Sequence, residues 1–272
     1  MRVRTPLGTE LHRGAESRHR PRQPKAAGMY RRCFIASIAG AIGLGLGDSA
    51  EASDEHEQAR SRLLAEIQED LRDTASTTGR RQFDPAVLAA IANVPRHRFV
   101  PPRLAAQAYS NRPLAIGHGQ TISQPFIVAL MTQLIEPKPT DRVLEVGTGS
   151  GYQAAVLAKL VARVYTIEIV RPLGERAAEL LRELGFANVD VRIGDGYLGW
   201  PEAAPFDAIV VTAAPDRMPQ PLIDQLAPGG RLIAPVGPEG GTQNLLLMRK
   251  DFDGRTVTRN VLPVRFVPLT RN

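Results

Sequence analysis

From Asp141 onward, short runs of consecutive apolar residues alternate with longer stretches in which apolar residues recur every three or four positions. The runs Arg142–Val146, Arg163–Glu168, Val189–Ile193, Phe206–Thr212 and Arg231–Val236 read as strands, mostly buried on both faces. The stretches Tyr152–Val161, Pro172–Leu184 and approximately Pro219–Gln225 read as helices. Leu245–Lys250 and Val261–Val267 add two more strands, with Asp253-Gly254 as the hairpin turn between long arms. This alternation predicts an α/β fold. Its sheet is mostly parallel and seven-stranded, has helices on both faces and ends in antiparallel C-terminal strands. A ligand is expected at the carboxyl ends of the strands.

Upstream of Asp141 the period is helical. Asp54–Leu71 is charged, with an apolar stripe at Leu63, Leu64, Ile67 and Leu71, and predicts a surface helix. Asp84-Pro85 caps a second helix over Ala86–Asn93. Val94–Pro102 (VPRHRFVPP) is a connector stiffened by its prolines, and Leu104–Tyr109 is a short helical turn. Pro113–Pro125 is rich in glycine and small polar side chains and precedes an apolar helix, Phe126–Ile135. Ser123 falls where the N-cap of that helix is expected, so a plain capping role is one reading of it. Residues 54–272 therefore read as a single domain, with a helical part (54–140) that carries the loop 113–125 and a core (141–272).

Charge changes the picture only at the N-terminus. The formal net charge is +6, but residues 1–32 hold nine Lys/Arg against two Asp/Glu, and the other residues hold 25 against 26. The basic character lies in a tail (1–53), so a nucleic-acid partner is not expected of the folded part. The single cysteine, Cys33, excludes an internal disulfide framework and a cysteine-cluster metal site. The five histidines show no ligand spacing, so no metal is expected. Met29 is an alternative start. It is followed by Arg31-Arg32, an apolar run to Gly47 and the small-x-small sequence Ala50-Glu51-Ala52. The segment 29–52 thus has the form of a twin-arginine-like export signal, with an uncleaved extension as the other reading. Its apolar run is too short to span a membrane, so no stable insertion is expected.

Chemistry concentrates in Val143–Gln153 (VLEVGTGSGYQ), where a strand enters a glycine turn and a helix follows. Gly147 and Gly149 fit a dinucleotide fingerprint, but its third glycine position holds Tyr152; the spacing is G-x-G-x-G through Gly151. That argues against a nicotinamide-dependent oxidoreductase. No Lys-Ser/Thr follows, which excludes a Walker-type phosphate loop. Glu145 precedes the loop. Glu168 ends the next strand 21 residues after Gly147, where an acid accepts from ribose hydroxyls. Asp195, followed by Gly196, ends the third strand. Each acid alone also reads as a solvated strand end. Three acids on one rim repel phosphate and suit a ligand that combines ribose, an amine and a positive centre. S-adenosylmethionine is such a ligand.

These motifs resemble a class I S-adenosylmethionine-dependent methyltransferase with a Rossmann-like core. More narrowly, VPRHRFVPP, IGHGQTISQP, VLEVGTGSGYQAAVLA, NVDVRIGDG, APFDAIVVTAA, QLAPGGRLIAPVG and VRFVPL resemble the protein-L-isoaspartate O-methyltransferase family over about Val94–Thr270. Asn111 departs from the acid expected before Arg112-Pro113-Leu114. The resemblance implies methyl transfer to the α-carboxylate of isoaspartyl residues in damaged proteins and peptides, in the cytoplasm; a monomer is the default expectation. It implies that Ser123 is the catalytic hydroxyl that grips the substrate carboxylate. Gln120, Thr121, Glu145, Gly147, Thr148, Gly149, Gly151, Glu168, Asp195, Gly196 and Thr270 would serve the cofactor. Thr212, Ala213 and Val267 would serve the substrate, with Val264–Leu269 pairing with its backbone. One rival is a methyltransferase of small molecules or nucleic acid. Base-amine methyltransferases commonly carry an Asn/Asp-Pro-Pro-Tyr/Phe segment where this chain reads Val211-Thr212-Ala213-Ala214-Pro215. A cofactor-binding scaffold with a lapsed site is countered by intact Ser123, Glu168 and Asp195.

Overall fold

Successive residues of the strand Arg142–Val146 project to opposite faces, and both faces are covered. Val143 joins one apolar cluster and Leu144 and Val146 the other, all fully buried. The same division holds for Ala208 and Val210 against Ile209 and Val211. Strands of this kind belong in the middle of a sheet with helices on both sides. The computed structural model describes residues 47–271, with side chains from residue 55. The described chain lies in one compact unit.

In chain order the elements are α1 (Gly47–Asp73), α2 (Ala75–Thr78), α3 (Pro85–Asn93), the 3-10 turns Arg96–Phe99 and Pro102–Gln107, β1 (Leu114–Gly117), β2 (Gln120–Ile122), α4 (Pro125–Leu134), β3 (Arg142–Val146), α5 (Tyr152–Ala158), β4 (Arg163–Glu168), α6 (Arg171–Glu183), β5 (Val189–Ile193), β6 (Phe206–Val211), α7 (Gln220–Asp224), β7 (Leu226–Val236), β8 (Gln243–Lys250) and β9 (Thr256–Val264). The main sheet has the order β5-β4-β3-β6-β7-β8-β9. Strands β3 to β7 are parallel, and β8 and β9 are antiparallel additions. The chain leaves β3 toward β4 on one side and returns to β6 on the other. The crevice at that reversal, above the carboxyl ends of β3 and β6, is where α/β sheets bind ligands.

Three expectations change in detail. The first helix begins at Gly47 rather than Asp54, so Ala50-Glu51-Ala52 lies within it; the rest of the candidate export segment, 29–46, falls outside the described residues. The glycine-rich stretch 113–125 is not an open loop but a two-stranded hairpin, with Leu114 opposite Ile122 and a turn at Gly117-His118-Gly119. The last strand is Thr256–Val264 rather than Val261–Val267. It is the outer edge strand, and Thr256–Asn260 are exposed, so no apolar alternation marks its first half.

The end of α4 is fastened to the sheet by a buried cation. Arg231 on β7 donates to the Ile135 and Glu136 carbonyls (2.6 and 2.8 Å) and to the Asp141 carboxylate (2.6 Å). Both side chains of the ion pair are almost wholly buried. Removing one partner strands an unpaired charge in the interior, which typically costs about 3–5 kcal/mol. Asp141→Ala is therefore expected to lower unfolding stability in urea by about that amount. Loss of less than about 1 kcal/mol would show that the pair is hydrated and replaceable.

Candidate active site

The loop after β3 is shaped by a neighbour's hydroxyl. Thr212, just past β6, donates to the carbonyls of Val146 and Gly147 at 3.0 and 2.6 Å. A Cβ at Gly147 would lie 2.5 Å from that hydroxyl oxygen, and the residue's φ is +99°. Only glycine fits there. The Gly147 and Thr148 amides bond to the Ile167 carbonyl. Beyond them, one carboxylate sets the rest of the loop: Glu168 accepts from the Gly149 amide at 2.7 Å and from the Val170 amide at 2.8 Å. It therefore joins the glycine loop to the start of α6. Two other sequence-marked positions do different work. At Gly151 (φ +88°) a Cβ would meet Leu181 and Ala177 of α6, so its backbone packs close to that helix, and it is not among the residues that line the cleft. Asp195 also lies outside the lining; it caps the turn at the Tyr197 amide and faces Arg271 at 3.4 Å.

Glu145 corrects the picture of a three-acid rim. It is not a rim carboxylate but fully buried, with one oxygen accepting from Thr166 Oγ1 at 2.5 Å and Thr166 in turn bonded to Thr148 Oγ1 at 2.6 Å. Its other oxygen has no protein partner among the described residues. Burial pushes its carboxyl up to about 8. The exclusion of phosphate rests instead on the lining of the cleft, which includes no Lys or Arg.

That cleft is walled by Gln120, Thr121, Glu145, Gly147, Thr148, Gly149, Glu168, Gly196, Ala213 and Thr270 among others. Tyr152 and Gln153, which open α5, also line it. A second depression adjoins it, bounded by the end of α1 (Asp70, Asp73), α4 (Phe126, Ile127) and the segment Leu262–Val267. Four residues border both: Thr121, Ser123, Thr212 and Val267. Ser123 is not the helix cap that its sequence position suggested. Gln124 is the N-cap, it makes no side-chain cap bond, and the Ser123 hydroxyl has no partner among the described residues. Val267 is partly committed: its carbonyl accepts from the Ala214 amide at 2.8 Å, and the Leu269 amide donates to the Ala214 carbonyl at 2.9 Å. The pairing expected of Val264–Leu269 is thus used on one side within the chain.

Two further contributors are not among the site residues expected from the sequence. Asn111 donates to Asp70 at 2.7 Å and accepts from the Phe126 amide at 3.0 Å, joining α1 to α4 beside the second depression. An acid at that position would face the Asp70 carboxylate. Arg96 is wholly buried and donates to the Ser123 carbonyl at 2.7 Å. Its neighbours His97 and Arg98 give the stretch the look of a solvent-facing basic run.

A parallel sheet that reverses at β3/β6, a glycine loop cradled by a carboxylate and a cation-free cleft define a Rossmann-like methyltransferase of class I. The sequence profile of protein-L-isoaspartate (D-aspartate) O-methyltransferases matches residues 68–272. A relative from Syntrophobacter fumaroxidans, protein-L-isoaspartate O-methyltransferase 2, is 53% identical over 90% of this chain and 98% of its own length. One from Gloeobacter violaceus is 62% identical over 68% of this chain and 90% of its own length. A solved protein-L-isoaspartate O-methyltransferase superposes with a TM-score of 0.67 at 29% identity, covering 78% of this chain and 66% of that one. A Plasmodium falciparum structure in complex with S-adenosyl-L-homocysteine gives 0.62 at 27%, covering 76% and 98%. The chain belongs to the protein-L-isoaspartate O-methyltransferase family.

The buried Glu145 makes a testable mark on stability. In the unfolded chain its carboxyl ionises near its ordinary value, and in the folded chain it holds its proton to about pH 8. Between those values the unfolded state binds fewer protons, so this group lowers stability as pH rises and adds nothing further above about pH 8. Glu145→Gln should therefore gain on the parent through that window, by about 1.4 kcal/mol per pH unit. Urea unfolding of both proteins across the range measures it, and a constant difference would mean that the carboxyl is ionised in place.

Proposed function

We propose that the chain transfers the methyl group of S-adenosylmethionine to the free α-carboxylate of L-isoaspartyl residues in damaged proteins and peptides. The methyl ester opens its carbonyl carbon to attack by the neighbouring backbone amide nitrogen, which expels methanol, and the succinimide so formed takes up water and opens in part to normal aspartate. The observation that carries this reading is the uncommitted Ser123 hydroxyl on the wall between the two depressions. The residues of the first cleft fit the donor. Its ribose hydroxyls meet an acceptor in Glu168, and its cationic groups meet a cleft without Lys or Arg, in which one Glu145 oxygen is buried and unpartnered. Bound there, the cofactor supplies an activated methyl on a sulfonium.

The chain's own work is positional. A carboxylate with a reference pKa of about 3.9 is already ionised at neutral pH, so no general base is required. Ser123 donates to one carboxylate oxygen and leaves the other free to attack. Gln120 and Thr121 lie beside it on the cofactor side, and Thr212, Ala213 and Val267 close the wall. Alignment of the reacting atoms and exclusion of water account for the rate. His118, in the hairpin turn, needs no proton role. We further assign the chain to the cytoplasm as a monomeric domain over 54–272. Among the described residues no helix is long and apolar enough to cross a membrane. N-terminal sequencing of the native protein tests the location, because a start at Ser53 would mean cleavage and export.

Labelled S-adenosylmethionine, offered with an isoaspartyl peptide and its aspartyl twin, should place base-labile label on the first alone. Equal or absent labelling would sink the assignment. Ser123→Ala should cut turnover more than tenfold while cofactor affinity, read by calorimetry, changes less. Parental turnover would return Ser123 to a passive place in the hairpin.

A further inference from the structure

Arg96 is an expensive residue for its position. Its side chain is fully buried, and no carboxylate pairs with it among the described residues. Burying a cation without a counter-ion costs free energy that two carbonyl acceptors offset only in part. Desolvation lowers its pKa to about 10, which leaves it charged at neutral pH. Apolar side chains would fill this volume at lower cost, so stability alone does not account for an arginine here.

Its contacts do. Nε donates to the Ala108 carbonyl at 2.9 Å and Nη2 to the Ser123 carbonyl at 2.7 Å, across 27 residues of chain. The guanidinium carbon Cζ lies over the Tyr152 ring, 4.8 Å from its centroid. Tyr152 opens α5 directly after the glycine loop and lines the first cleft. One planar fork therefore references the backbone of Ser123 to the turn before the hairpin and to the helix behind the cofactor loop. The hairpin itself is no part of the main sheet. Its other anchor is Arg176 of α6, which donates to the Ile116 carbonyl at 2.9 Å. Nothing else found among the described residues holds the Ser123 carbonyl.

We propose that Arg96 is a positioning residue for methyl transfer, fixing the Ser123 main chain so that the hydroxyl meets the substrate carboxylate in line with the methyl group. The proposal rests on the role of Ser123 given above. Lysine is the informative replacement: it keeps the charge but cannot span two carbonyls and stack on a ring with one flat group.

Turnover and KM for the isoaspartyl peptide, cofactor Kd by calorimetry and Tm are measured for the parent, Arg96→Lys, Ser123→Ala and the double variant. Arg96→Lys is expected to lower kcat at least tenfold with cofactor Kd within about threefold, and to lower it less than twofold in the Ser123→Ala background. Parental kcat in Arg96→Lys overturns the proposal. So does an equal loss in both backgrounds, which would mean that Arg96 acts on the fold at large and not through Ser123. Parental turnover in Ser123→Ala would instead remove the reading of the site, and this proposal with it. Arg96→Gln, which retains a donor for one carbonyl, replaces the lysine variant if that does not fold. Failure of both to fold makes Arg96 a core residue and overturns the proposal.

Discussion

The contact between the Thr212 hydroxyl and the backbone of Val146-Gly147 fixes the path on which everything else in the site depends. It joins the carboxyl ends of β3 and β6, the two strands at which the sheet reverses. With no room for a Cβ at Gly147, the chain must turn there. The turn brings the Gly149 amide within reach of Glu168, and Glu168 in turn holds the first turn of α6 through Val170. A side chain at Gly147 would move the whole series of contacts, because each one takes its position from the one before.

The sheet was legible in the sequence because its central strands are buried on both faces, and such strands appear as unbroken apolar runs. The hairpin at 114–122 was not, since four- and three-residue strands in a glycine-rich stretch leave no period to read. The edge strand β9 was placed late because its first half faces water on all sides available to it. At the site, residue types were readable and environments were not. Glu145 is an acid in any reading, yet whether it is a solvated anion or a buried carboxyl depends on α5 and β4 packing over it. Arg96, His97 and Arg98 look alike in sequence, but Arg98 pairs at the surface with Glu183 while Arg96 lies in the interior. Ser123 was one residue from the true N-cap, and the difference of one residue separates a capping hydroxyl from a free one.

The electrostatics of the first cleft suit a donor that arrives already activated. There is no cation to hold phosphate and no histidine within the lining. Some polar groups in the cleft serve the fold, Thr166 bonding to Glu145 and Thr212 to the strand ends, while Glu168 holds one amide on each oxygen and keeps acceptor capacity for a ligand. What remains uncommitted is therefore informative. The Ser123 hydroxyl, without a partner among the described residues, stands at the boundary between the two depressions, where a donor to an incoming carboxylate would be placed.

That boundary is only one side chain thick. Thr121, Ser123, Thr212 and Val267 border the first cleft on one side and the second depression on the other. Any occupant that tightens or displaces this shared wall changes the affinity of the opposite chamber for its own occupant. Thermodynamic reciprocity would then make the effect equal in both directions, so a wall displaced in this way would couple the two binding equilibria as well as separate the two compartments.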